Sequence, residues 1–93
     1  MTEAAESTRL IENERVRVTE WRFAPGAATG FHRHEYDYVV LPMTSGELLL
    51  KEPGGDRPVA LAVGKPYYRG KGVEHDVVNG DDHEIVFIEV EIM

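Results

Sequence analysis

Apolar and polar positions alternate along this chain in short runs broken by Gly, Pro, Asn and Asp, and no helical stripe of apolar residues persists for three turns. The pattern predicts seven strands. Residues 15–23 are rich in Val, Thr, Trp and Phe and stop at Pro25-Gly26. Residues 30–41 end before Pro42, and 47–51 follow the Ser45-Gly46 turn. Pro53-Gly54-Gly55-Asp56 is a strong turn signal before the apolar strand 58–63. Short strands at 66–69 and 73–78 flank Gly70-Lys71-Gly72, and Asn79-Gly80 carries the residue types of a tight hairpin. The last strand, 83–92, places Val86, Ile88, Val90 and Ile92 on one face. Strands of this length, with turns every 8–12 residues, predict an all-β sandwich or barrel. Trp21 and Phe23 are its core or interface aromatics.

Length and composition narrow this to one small domain. The chain has 93 residues. Residues 1–8 are small and polar and are expected to be flexible, with 9–93 as the single domain. A domain of this size buries only about 60–65% of the surface of its unfolded chain, so a metal or a second subunit would add stability. There is no cysteine, hence no disulfide framework and no thiolate ligand. The first six residues hold no basic cluster and no apolar run, and nothing approaches a membrane span. The expectation is a soluble cytoplasmic protein with no membrane partner. Net charge is −7, and no Lys or Arg follows Lys71. Such a surface repels phosphate backbones, so no nucleic-acid partner is expected.

The chemistry lies in the histidines. Three of the four fall in two predicted strands: His32 and His34 in one, His75 in the other. Side chains two apart on a strand share a face, so His32 and His34 project together. Three imidazoles gathered on sheet walls would bind a metal and leave positions open on it. Tyr38 has the parity of the two histidines, whereas Glu35 and Asp37 have the opposite parity and face outwards. His83, beside Asp81, Asp82 and Glu84, is a solvated surface residue on this reading. No second acid–base group stands out at the parity of the histidines, which weighs against proton-transfer chemistry.

Gly26, five residues, His32-x-His34 and then Gly46 form one block; Gly64, five residues, Gly70-x-Gly72, two residues, His75, three residues and Asn79 form a second. These blocks resemble the paired motifs of the cupin superfamily. The first family motif is a glycine, five residues, H-x-H, three or four residues, a glutamate, six residues and a glycine. The second is a glycine, five residues, P-x-G, two residues, a histidine, three residues and an asparagine. The resemblance implies a single-domain double-stranded β-helix, or jelly-roll barrel, around a divalent metal. Two departures stand out. Gly70 replaces the second motif's proline, and Tyr38 or Val39 falls where the first motif's glutamate would be. The three-His-one-Glu sphere therefore reduces to His32, His34 and His75. Three-His sites in the superfamily resemble those of Fe(II) dioxygenases. Over its full length the chain looks most like small cupins associated with β-alanine degradation.

These readings give a metal-dependent cupin acting on a small molecule, with a dioxygenase-type oxidoreductase reaction favoured. Fe, Zn, Ni or Mn would be held by His32, His34 and His75, and Tyr38 would orient a ligand or donate a hydrogen bond. Three neutral ligands leave the ion's charge intact, which favours an anionic ligand. The alternative is a non-catalytic metabolite- or metal-binding module on the same barrel. Edge strands and the aromatic run 21–23 predict a homodimer.

Overall fold

The structure, a computed structural model, describes residues 3–93. Nine strands form: β1 (Glu6–Glu12), β2 (Val16–Phe23), β3 (His32–Arg33), β4 (Asp37–Pro42), β5 (Gly46–Glu52), β6 (Gly55–Leu61), β7 (Tyr67–Arg69), β8 (Glu74–Asn79) and β9 (Ile85–Ile92). They make two antiparallel sheets, ordered β1-β2-β9-β4-β7 and β3-β8-β5-β6. This is the all-β jelly roll that the resemblance implies. Between the sheets lie Phe23, Tyr38, Val40, Leu48, Leu50, Leu61, Val77, Ile85 and Phe87. Phe23 and Phe87 stack with centroids 5.5 Å apart.

Three features differ from the sequence reading. β1 was not foreseen, because all seven of its residues are exposed and no apolar alternation marks it. It forms by backbone pairing to β2, with a bulge between Arg9 and Ile11. Residues 6–8, within the segment expected to be flexible, belong to it; Met1 and Thr2 lie outside the described residues. The expected strand 30–41 is split, because the chain leaves one sheet after β3 and enters the other at β4. Asn79-Gly80 closes no hairpin: β8 pairs with β3 and β5, whereas β9 pairs with β2 and β4. Asn79 is instead a buried pin. Its side-chain amide donates to the carbonyls of Phe23 (3.2 Å) and His83 (2.8 Å) and accepts from Asp81 N (2.8 Å).

β9 turns its less uniformly apolar face inward. Its core face carries Ile85, Phe87 and Glu89, opposite Phe23, Trp21 and Thr19 of β2. The apolar set Val86, Ile88, Val90 and Ile92 points the other way. The outer face of this sheet therefore holds an in-register row, Ile11–Val18–Val90–Val39–Tyr68, crossing all five strands. By contrast, the Pro53-Gly54 signal is realised as the two-residue β5–β6 turn. Pro58 is tolerated in β6 because that strand is a sheet edge.

Candidate metal centre

β3 and β8 pair with His32 directly opposite His75. The ladder continues one step beyond β3: His34 N donates to Val73 O (2.9 Å) and Gly72 N donates to His34 O (2.8 Å). Gly72 makes that loop with φ +93°, a conformation L side chains rarely adopt. The three histidines thus hang from one sheet end into the barrel. The Nε2 atoms of His32 and His34 are 3.1 Å apart, and those of His34 and His75 are 3.0 Å apart.

Those spacings fit a cation. His34 Nε2 faces two other ring nitrogens, and it carries at most one proton to share with them. Two imidazoles bound at right angles to one ion with bonds of about 2.1 Å would place their nitrogens about 3.0 Å apart. The His32 tautomer agrees. His32 Nδ1 lies 2.9 Å from the Gly30 carbonyl, which can only accept, so Nδ1 carries the proton and Nε2 presents a lone pair. His34 Nδ1 lies 3.9 Å from Glu89 Oε1. His75 Nδ1 is buried without a partner.

Burial and charge keep His34 and His75 neutral. Desolvation, followed by the mutual repulsion of the histidines, lowers His34 to about 3. Desolvation, then His32, lowers His75 to about 4. Both offer lone pairs at neutral pH, as a metal requires.

Tyr38 is fully buried on β4 and stacks on the His34 ring, with centroids 3.9 Å apart and planes at 18°. Burial raises its phenol above the ordinary value. Its inward direction agrees with the parity argument, although Tyr38 reaches the site from the opposite sheet. Glu35 is exposed, and Asp37 lies on the outer side, where it accepts from Lys71 N (2.8 Å).

The sequence reading missed Glu89. Glu89 lies on the face of β9 opposite the apolar set Val86, Ile88, Val90 and Ile92, and it faces the histidines. Desolvation, then Glu91, raises its carboxyl to about 7. The signal was present in the alternation Ile85, Phe87, Glu89, whose aromatic member belongs to the core. An acid–base group does therefore stand at the histidines, contrary to expectation. Glu89 lines both cavities at the site: an open one of about 310 Å³ beside His32 and His34, and an inner one of about 20 Å³ beside His75 and Tyr38.

A second group of metal-ligating types, Asp81, Asp82 and His83, lies in the β8–β9 loop. Here the ring is itself the cation. His83 Nε2 donates to Ser45 O (2.8 Å), and Nδ1 lies 3.3 Å from carboxylate oxygens of both Asp81 and Asp82. The Ser45 carbonyl, then Asp82 and Asp81, raise the His83 pKa. The residue is a loop staple.

The cupin domain family matches residues 19–91. This chain is a cupin. The cupin is 58% identical over 85 residues to the beta-alanine degradation protein BauB of Pseudomonas aeruginosa, covering 91% of this chain and 90% of that protein. Among solved structures, it matches a cupin domain from Bordetella pertussis Tohama I at 54% identity and TM-score 0.98, covering 100% of this cupin and 97% of that chain. A predicted oxalate decarboxylase from Thermotoga maritima shares the fold at 23% identity and TM-score 0.74, covering 96% of this cupin and 80% of that chain. Among the described residues, no helix is long and apolar enough to cross a membrane.

Proposed function

We propose that this cupin is a metal-dependent enzyme of the cytoplasm, acting on a small anionic metabolite of β-alanine breakdown, with a dioxygenase-type oxidoreductase reaction. The observation that carries the reading is the convergence of three imidazoles, with His34 Nε2 3.1 Å from that of His32 and 3.0 Å from that of His75. His32, His34 and His75 hold one divalent ion, Fe, Zn, Ni or Mn. Such an ion would supply Lewis acidity and open positions for substrate and oxygen. The chain's own residues shape the rest. Trp21, Thr29 and Glu89 wall the open cavity, and Arg17, Arg33, Glu35 and Glu91 also line it. Tyr38 holds the His34 ring by stacking and turns its phenol to the inner side, in the role of a ligand-orienting group. The relative's name supports the pathway, and the three-histidine donor set supports the reaction class.

The test is elemental analysis of untagged protein purified without chelator, together with oxygen uptake over a panel of small carboxylic acids, amino acids, thiols and diketones. About one metal per chain with substrate-dependent oxygen uptake is expected. Metal without turnover of any panel member would favour the non-catalytic binding module.

The working unit we propose is a homodimer built on the outer face of the five-stranded sheet. The row from Ile11 to Tyr68 crosses the whole sheet, and a two-fold axis lets the same row meet itself. Light scattering should give twice the 10.5 kDa chain mass. Val90→Lys, at the centre of the row, should give the monomer mass with metal content unchanged.

A further inference from the structure

We infer that Glu89 is the displaced carboxylate of this metal centre, a positioning residue that holds His34 from behind and returns a negative charge to a donor set that has none of its own. The inference rests on the three-histidine metal reading and deepens it. Where the family motif would place a glutamate, Tyr38 is stacked flat on His34. That ring shields one face of the imidazole, leaving its edges for contact. One edge, Nε2, points to His32 and His75. The other, Nδ1, points to Glu89 at 3.9 Å. This is too long for a hydrogen bond, and a small side-chain rotation would close it.

Among the described residues, no hydrogen bond or ion pair other than the approach to His34 reaches this carboxylate. Its cross-strand neighbours are Thr19 and Val40. The Thr19 hydroxyl accepts from Arg9 Nε (3.0 Å), and the nearby Arg17 pairs with Glu12 (3.3 Å) and Glu91 (3.7 Å). A largely buried carboxylate without a cation costs stability. A divalent charge transmitted through the His34 ring supplies the missing partner. Partners of this kind fix the tautomer of a ligating histidine and raise its basicity; losing one typically weakens metal binding about 10–100-fold.

Glu89→Gln separates charge from shape, since the amide can still accept from Nδ1–H. Zinc and cobalt(II) affinities, measured by chelator competition, should fall about 10-fold or more in this variant. The cobalt(II) absorption spectrum should shift as His34 becomes a weaker donor. The metal-free variant should melt no lower than the parent, because an unpartnered carboxylate has gone. Glu89→Leu, which keeps the bulk without the charge, should lose the same affinity. Glu91→Gln, one inward position further along β9, should leave both affinities close to the parent's. Parent-like affinities in Glu89→Gln and Glu89→Leu would overturn the role of Glu89 and leave the three-histidine site standing. A parent that takes up neither metal would overturn both together.

Discussion

The trio His32, His34 and His75 and the trio Asp81, Asp82 and His83 each gather three side chains of metal-ligating type within a few ångströms, and they handle charge in opposite ways. The first is enclosed between two sheets. Desolvation there strips protons from the His34 and His75 rings. The second sits in water, where two carboxylates and a carbonyl stabilise a protonated ring. Both trios bring ligating atoms within 4.8 Å of one another. What separates unprotonated rings from a charged staple is dielectric surroundings and the acceptors beside each nitrogen.

The sharpest way to break that contrast is to remove one ring from each trio. His34→Ala and His75→Ala should each abolish stoichiometric metal uptake, whereas His83→Ala should keep the parent's metal content, read by elemental analysis after dialysis against the metal. Equal loss in all three variants would erase the distinction.

Acid should separate the trios next. In the metal-free protein His34 and His75 stay unprotonated down to about 3 and 4, while the unfolded chain takes protons below the ordinary value of 6.5. Their contribution to stability therefore falls as pH drops through 6.5. Glu89 works against one of them, because its raised carboxyl is protonated in the folded state first, from about 7 down to the ordinary 4.5. The net difference between pH 6.5 and 4.5 is one proton, a slope of about 1.4 kcal/mol per pH unit. Glu89→Gln removes the offset and should double that slope in urea melts, and a saturating metal should flatten it. His83 has the opposite sign: its raised pKa adds stability that is fully present below 6.5 and lost as pH rises through the folded value. His83→Ala should remove only that small alkaline decline.

The smallest effect concerns the ring behind the ligands. Tyr38→Phe keeps the stack on His34 and deletes only the phenol oxygen. Metal content should stay at the parent's level, while the affinity for anionic ligands, or the spectrum of bound copper(II), should change. Complete metal loss would promote the phenol to a ligand.

The buried trio was legible because strand parity and motif spacing act over few residues: His32 and His34 share a face by geometry, and His75 pairs with His32 through an ordinary ladder. Gly72 was legible as a turn device, and so was the Pro53-Gly54 turn. Glu89 was not, since alternation reports two faces without saying which one is inside. On β9 the more uniformly apolar face is the outer one, where the row through Val90 lies. β1 was hidden for a related reason. It is held by backbone hydrogen bonds, and these leave no trace in the polarity of Glu6–Glu12. The Asn79-Gly80 signal was local, and the demands of two separate sheets overrode it.

The place of β9 in its sheet also bears on how the molecule is born. This strand lies between β2 and β4, yet it is the last of the nine to leave the ribosome. Until it arrives, the β1–β2 ribbon has no neighbour on its inner edge, Phe23 lacks the ring of Phe87, and His34 lacks the carboxylate behind it. Most of the fold consists of contacts distant in sequence, which makes closure slow. A nascent chain paused before residue 85 would thus present an open sheet edge and an uncovered aromatic surface, a natural substrate for a holdase chaperone. Insertion of one eight-residue strand then ends that exposure and completes the pocket in a single event.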